Sequence, residues 1–304
     1  MNIAVCIVNY NSYTDTIECI KSLLVQDYSN FSIIIVDNAS TNDSLNALKR
    51  YLAEHSIDFY CRQNYDDSTD GNNDTKVWII AAEENRGFSA GNNIAIRFVR
   101  EHLLHTTHIL ILNNDTVVDP YFLSTITKDY KQQCEVTRHS VAMGAEERNY
   151  YSHNIIHCGD NYLNLLSGIN FSRPIIPYFR YISGACLMVD VHAPLMCEDY
   201  FLYYDDVEYC FILRQQGYKL CRARRAYYFH KVSATTSHSH SVKEHTFISM
   251  WRFFMWHYPV YIPFVFIVRF IEHIVLHKKG RNYVMLSTLK SCLANKLFRK
   301  KDKL

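Results

Sequence analysis

Short, continuous apolar runs that close on polar clusters mark the first 115 residues. Ile3 to Val8 runs into Asn9-Tyr10-Asn11, Phe31 to Val36 into Asp37-Asn38, and His108 to Leu112 into Asn113-Asn114-Asp115. Val77 to Ala81 leads into Glu84-Asn85-Arg86-Gly87. Runs this short, rich in Ile and Val and without alternation, predict strands buried on both faces. Between them apolar positions recur at helical spacing: Ile17, Ile20, Leu23 and Leu24; then Leu45, Leu48 and Leu52; then Ile94, Phe98 and His102. Ser40 or Thr41 is placed to cap the second of these helices. Strand and helix alternate, which predicts an α/β fold with a parallel sheet in this half. In such sheets ligands bind beyond the carboxyl ends of the strands, where these polar clusters fall.

Beyond residue 115 the pattern thins. Gln132 to Arg180 gives no clear period, and Tyr181 to Val189 predicts one more strand. Asp205, Asp206 and Glu208 cluster where Val207, Cys210, Phe211 and Arg214 set a helical spacing, so the acids open a helix whose dipole favours them. The loop from Arg62 to Lys76 holds Asp66, Ser68, Asp70 and Gly71 in calcium-loop spacing. Its twelfth position is Val77, where a bidentate Glu is required, so a solvated loop is expected.

Between Arg252 and Arg269 lie sixteen residues without Lys, Arg, Asp or Glu. As a helix they reach about 24 Å, short of the roughly 30 Å hydrocarbon core, and Pro259 and Pro263 interrupt them. Trp256, Tyr258 and Tyr261 suit the headgroup level, so an interfacial or re-entrant segment is expected, with a helical pair packed on the core as the alternative.

Charge sharpens that picture. Arg269 to Leu304 holds ten Lys or Arg against two acids, whereas residues 1–268 hold 22 against 28. A basic tail on an acidic body implies an anionic partner, phospholipid or nucleic acid. The 10 cysteines include no CxxC pair, so free thiols in a reducing compartment are expected and a zinc cluster is not. The amino terminus has no basic region ahead of an apolar stretch, so no signal peptide is read.

Several polar clusters carry possible chemistry, each with a plainer reading. Asp37 and Asn38 can bind a nucleobase edge and a ribose, or simply cap a turn. Arg86 and Gly87 stand before a helix N-terminus and suit phosphate. Asp115 at a strand end can hold a divalent ion that bridges phosphates, or make an ordinary turn. Asp205, Asp206 and Glu208 repel one another, and one of them can take a proton from a hydroxyl. His230 is a candidate metal ligand or a structural His. His238, His240 and His245 lie in a Ser/Thr/His-rich stretch that reads as a loop. Neither GxGxxG nor a P-loop occurs, which argues against a dinucleotide or Walker site.

Six segments in order resemble the family-2 glycosyltransferases, near the rhamnosyltransferase-like branch of bacterial surface-polysaccharide synthesis. They are Val5 to Asn11, Val36 to Thr41, Glu84 to Asn93, Leu112 to Asp115, Ser183 to Cys186, and Phe201 to Glu208. The resemblance covers roughly residues 1–235. It implies a GT-A fold, a Rossmann-like mixed sheet flanked by helices. Residues 1–115 would form the nucleotide-binding half and 116–235 the acceptor and catalytic half, with 236–304 a membrane-associating helical extension. It further implies an inverting, metal-dependent transferase with Asp206 as general base beside Asp205. Asn9, Asp37, Asn38, Asn85, Arg86, Gly87, Asn92 and Asn114 would bind the nucleotide sugar, and Asp115 and His230 would hold Mg²⁺ or Mn²⁺. The implied donor is dTDP-rhamnose or a UDP-hexose, and the acceptor a polyprenyl-diphosphate-linked glycan. The implied location is the cytoplasmic face of the inner membrane, on an anionic surface.

The sequence also departs from the family pattern. Asn113 replaces the first acid of the metal motif, Asp205 shortens the usual Glu-Asp pair, and one His remains in Phe229-His230-Lys231-Val232-Ser233-Ala234. The rival readings are a catalytically inactive sugar-nucleotide-binding or interaction protein, which would keep Asp37 and lose Asp206, and a nucleic-acid module. No nucleic-acid partner is expected, because the acidic body is read as lacking a basic face.

Overall fold

The computed structural model describes residues 1–63, 75–231 and 240–275. The first half runs β1 (Ile3–Asn9), α1 (Tyr13–Leu24), β2 (Phe31–Asp37), α2 (Ser44–Glu54), β3 (Phe59–Gln63), β4 (Val77–Ala81), α3 (Phe88–His102) and β5 (His108–Leu112). The second half runs β6 (Thr116–Val118), α4 (Phe122–Thr137), β7 (Val141–Asn149), β8 (Ile155–His157), β9 (Asn161–Asn164), β10 (Asn170–Phe171), β11 (Tyr178–Tyr181), β12 (Cys186–Asp190), α5 (Asp205–Gln215) and β13 (Lys219–His230). Two further helices close it, α6 (His240–His257) and α7 (Ile262–Val275), joined by a 3₁₀ turn at Pro259–Tyr261.

The main sheet has the order β3-β4-β2-β1-β5-β12-β7-β13-β6, with β8 on β7. From β3 to β5 every pairing is parallel, as the alternation predicts. Beyond β5 the sheet is mixed: β12 runs antiparallel to both β5 and β7, while β7 and β13 are parallel. The pleat divides each strand between two cores. Ile3, Val5 and Ile7 pack toward α1, α2 and α4, whereas Ala4 and Cys6 join α3, α5 and α6.

Two expectations change. The strand expected over 181–189 is two strands: β11 belongs to a small sheet β10-β9-β11, and β12 starts at Cys186 after the Ser183-Gly184-Ala185 turn. The aromatic segment also divides. Its α6 part, expected at an interface, is core: Phe253 and Phe254 are fully buried, as is Trp251 just before the segment. Phe253 meets Phe179, Tyr204 and Phe211, so these rings need one another more than they need lipid. By contrast α7 leaves Phe264, Ile267, Phe270 and Ile271 exposed. No helix among the described residues is long and apolar enough to cross a membrane. The calcium-like loop, His238 and the tail beyond 275 lie outside the described residues.

The body is not uniformly acidic on its surface. Three adjoining cavities, of about 620, 390 and 460 Å³, follow β13 past Lys219, Arg222, Arg224 and Arg225. Arg148, Arg180 and Arg214 complete the lining. A basic face therefore exists where the charge total suggested none.

Candidate functional site

The polar ends of β1, β2 and β5 meet in one hydrogen-bonded track. Asp37 is buried, and its Oδ1 accepts from Asn9 Nδ2 at 2.7 Å and Ser40 Oγ at 2.7 Å. Asn9 Oδ1 in turn accepts from the Thr16 hydroxyl at 2.8 Å, and Asn114 Nδ2 donates to that hydroxyl at 3.0 Å. Asn38 Nδ2 donates to Asn85 Oδ1 at 2.9 Å and to the Gly87 carbonyl at 3.2 Å. The loop before α3 is thus tied to the end of β2. Gly87 sits at φ +92°, and a Cβ there would lie 2.3 Å from the Phe201 carbonyl oxygen, so only glycine fits this approach. Arg86 pairs with Glu198 at 3.1 Å and lies 3.6 Å from Glu84. Asn92 is buried, and its Oδ1 finds no donor among the described residues.

Asp115 is the third residue after β5 and lies opposite the end of β13. His230 Nε2 lies 3.0 Å from Asp115 Oδ1, and His230 Nδ1 lies 2.7 Å from Glu147 Oε1. The other Glu147 oxygen meets His157 Nε2 at 2.6 Å and accepts from the Tyr228 hydroxyl at 2.9 Å. Burial alone would lower the His230 pKa, but the bonds to Asp115 and Glu147 outweigh it and hold the imidazolium up to about 10. Burial alone would raise the Glu147 pKa, but His157 and His230 hold the carboxyl well below its usual range. Beside them Lys231 Nζ reaches Asp15 Oδ1 at 2.6 Å and Glu18 Oε2 at 2.5 Å, joining β13 to α1.

The acid pair heads α5. The chain enters that helix through Tyr203 at φ +62° and Tyr204 at φ +60°, two successive left-handed residues that L side chains seldom adopt. Asp206 Oδ2 accepts from the Gly184 N–H at 3.2 Å, and its Oδ1 from the Val207 N–H at 2.8 Å. Burial pushes both carboxyls up. The Asp206 charge pushes Asp205 further, while the Gly184 and Val207 N–H groups pull Asp206 partly back. Glu208, the third acid of the cluster, is not part of this pair. It is buried against His257 Nε2 at 2.7 Å and the Tyr200 hydroxyl at 3.0 Å, pinning α6 to α5.

One turn brings the two halves together. The Asn113 N–H donates to the Ala185 carbonyl at 3.0 Å, and the neighbouring Gly184 holds Asp206. The Asp115 turn and the acid pair therefore share one support. Glu147 and His157 were not foreseen, although Val141 to Ala145 closes on acids just as the earlier runs close on polar clusters. Among the described residues no group of three or more His, Cys, Asp or Glu forms a metal cage. Asp115 offers an oxygen donor, and His230 Nε2 a nitrogen donor once a metal displaces its proton, a set that Mn²⁺ or Mg²⁺ could use if phosphate oxygens and water complete it.

The chain matches the family described as glycosyl transferase family 2 over residues 4–192. No curated protein matches it. Its fold is similar to that of S. aureus TarS 1-349 in complex with UDP, at TM-score 0.52 and 14% identity, covering 84% of this chain and 64% of that one. This chain thus spans just under two thirds of the TarS fragment. It is similar too to the mannosyltransferase PcManGT from Pyrobaculum calidifontis in complex with GDP-Man and Mn2+. There the TM-score is 0.55 at 14% identity, covering 99% of this chain and 88% of that one. Both share the mixed α/β architecture.

Proposed function

We propose, because the chain belongs to glycosyl transferase family 2, that it moves a sugar from a nucleotide-diphosphate sugar to an acceptor hydroxyl in one inverting displacement. The observation that carries this is the common support of the Asp115 turn and the Asp206 carboxylate through Ala185 and Gly184. It sets a phosphate-side group and a proton acceptor at the same strand ends.

In this reading Asp37 and Asn38 hold the base and ribose, with Asn9 and Asn114 as their hydrogen-bonded backing. Asn85, Arg86, Gly87 and Asn92 shape the loop over the donor. Asp206 takes the acceptor proton as the hydroxyl oxygen bonds to the anomeric carbon, and the bond from that carbon to the diphosphate breaks. Burial lifts Asp206 toward the operating pH, which suits a base. Asp205 keeps the pair from ionising twice. Mg²⁺ or Mn²⁺ held by Asp115 and His230 would neutralise charge on the diphosphate, a use supported by the Mn²⁺ in the mannosyltransferase neighbour. Glu147 positions His230 for that contact. The donor in this reading is dTDP-rhamnose or a UDP-hexose, and the acceptor a lipid-linked glycan in surface-polysaccharide synthesis. The exposed face of α7 and the basic tail keep the protein at an anionic membrane.

A thermal-shift panel of UDP, dTDP, GDP and CMP, with and without Mn²⁺, on wild type and Asp115→Ala tests the donor site. A metal-dependent rise for one nucleotide, lost in Asp115→Ala, is expected. Folded protein that shifts with none of them refutes the reading.

A further inference from the structure

We propose that the arginine-lined groove along β13 is a phospholipid-headgroup surface that docks the folded body on an anionic membrane. This rests on the membrane placement proposed above and not on the sugar-transfer chemistry. The groove is built by a bulge. Between Arg222 and Tyr227 the register of β13 on β7 shifts. Ala223 and Ala226 turn into the core, and Arg224 and Arg225 both face out between them. Buried Asp129 of α4 fixes this shape, its Oδ2 accepting the Arg224 N–H at 2.7 Å and the Arg225 N–H at 3.2 Å. Both of these bonds go to backbone through one oxygen; the other, Asp129 Oδ1, is buried without a hydrogen-bond partner among the described residues, and neither guanidinium pairs with the carboxylate.

Elsewhere in the groove Arg180 is neutralised by Asp160 and Arg148 by Glu146. Among the described residues no carboxylate pairs with Arg222, Arg224 or Arg225. Holding such cations side by side costs self-repulsion that an array of phosphates relieves. The groove is separate from the Asp115 and His230 contact. Glu147 points into that buried network, while its neighbours Glu146 and Arg148 line the groove, as alternation along a strand requires.

The margin of the groove selects lipid over nucleic acid. Buried Phe179 lies 5.2 Å from the Arg214 guanidinium and 6.2 Å from the Tyr258 ring, so Arg214 of the groove packs on the same core ring as the α6–α7 junction. There Val260 is 71%, Phe264 51% and Ile267 53% exposed, and Ile176 next to β11 is 83% exposed. A duplex offers phosphates but no apolar phase for these side chains, whereas a lipid leaflet offers both.

The test is sedimentation of the full chain with vesicles of phosphatidylcholine alone or mixed with phosphatidylglycerol. The triple variant Arg222→Ala, Arg224→Ala, Arg225→Ala should partition on the order of 100-fold more weakly into the anionic vesicles. The tail is the same in every protein compared, so the difference reports the groove. The corresponding triple Lys variant should restore binding, which separates charge from folding. A change under about threefold in the Ala variant, equal binding of wild type to neutral vesicles, or failure of the folded Lys variant to bind overturns the proposal. So does loss of DNA-duplex binding in the Ala variant with vesicle binding intact. The nucleotide shift should be the same in wild type and both variants. If wild type shows no nucleotide shift but the vesicle result holds, the groove stands and the transfer reading falls.

Discussion

Glu147 offers the sharpest test of the site. It is 5% exposed and receives His230 Nδ1, His157 Nε2 and the Tyr228 hydroxyl at 2.7, 2.6 and 2.9 Å. Glu147→Ala leaves all three groups without an acceptor. Breaking a buried charged pair in this way costs about 3–5 kcal/mol. At about 2–4 °C per kcal/mol for a chain of this size, Tm falls by about 10 °C. Urea unfolding should show the loss as a lower midpoint at unchanged slope. Glu147→Gln keeps the shape and one acceptor, so it should lose roughly half as much.

The pH profile carries a sign. Glu147 is depressed in the folded protein, so its contribution is full above about pH 5 and disappears only in strong acid. His230 is raised, so its contribution is full below about pH 6.5 and disappears as pH rises toward about 10. In metal-free protein the stability gap between wild type and Glu147→Ala should therefore be widest between these limits and narrow on the alkaline side. Mn²⁺ affinity, read from the free-ion electron paramagnetic resonance signal, should fall about 10–100-fold once His230 loses its anchor. A stability loss below about 1 kcal/mol, or a gap that widens with rising pH, refutes the reasoning.

Asp206→Asn should abolish sugar transfer while keeping the nucleotide shift. It should also stabilise the protein by on the order of 2 kcal/mol near pH 8. Because burial raises the folded carboxyls, ionising the pair costs stability as pH rises, so the gain should vanish near pH 4; a gain largest in acid would contradict this. Gly87→Ala must either displace Phe201 or leave φ +92°, and should cost about 1–3 kcal/mol and at least tenfold in nucleotide affinity. Unchanged affinity in a calorimetric titration would remove the loop from the donor site.

The parts of the molecule that could be read from sequence are those whose reasons are local. β1, β2, β4 and β5 are buried on both faces, so each shows as an unbroken Ile/Val run. The acid pair reads as a helix start because its neighbours repeat at helical spacing. What escaped depends on distant partners. The small sheet uses Asn161–Asn164 and Asn170–Phe171, too short and too polar to show a period. In β13 the core positions across the bulge are the small residues Ala223 and Ala226, so Lys219 to Ala226 shows neither an apolar run nor a clean alternation. Glu208 looked equivalent to Asp205 and Asp206, and only the arrival of His257 from 49 residues further on makes it structural.

That last contact links the C-terminal helices to the chemistry. α5 carries the acid pair on its first turn and Glu208 one residue beyond Val207, and Glu208 is bound to α6 through His257. The Phe211 ring of the same helix stacks on His257 with centroids 3.7 Å apart. From His257 the chain passes through the Pro259 turn into α7, whose Arg269 donates to the Gly168 carbonyl; Tyr204, just before the acids, donates to the same carbonyl at 3.0 Å. α7 is thus joined to the entry of α5 through the Gly168 carbonyl and α6 to its first turns through His257, so the orientation of the acid pair depends on the seating of both helices. It follows that residues 250–275 cannot be treated as a detachable anchor. Removing them with the tail strips Trp251, Phe253, Phe254 and His257 from the core. Loss of membrane binding after such a cut would report unfolding, which is why point changes in the arginine groove of the intact chain are the informative experiment.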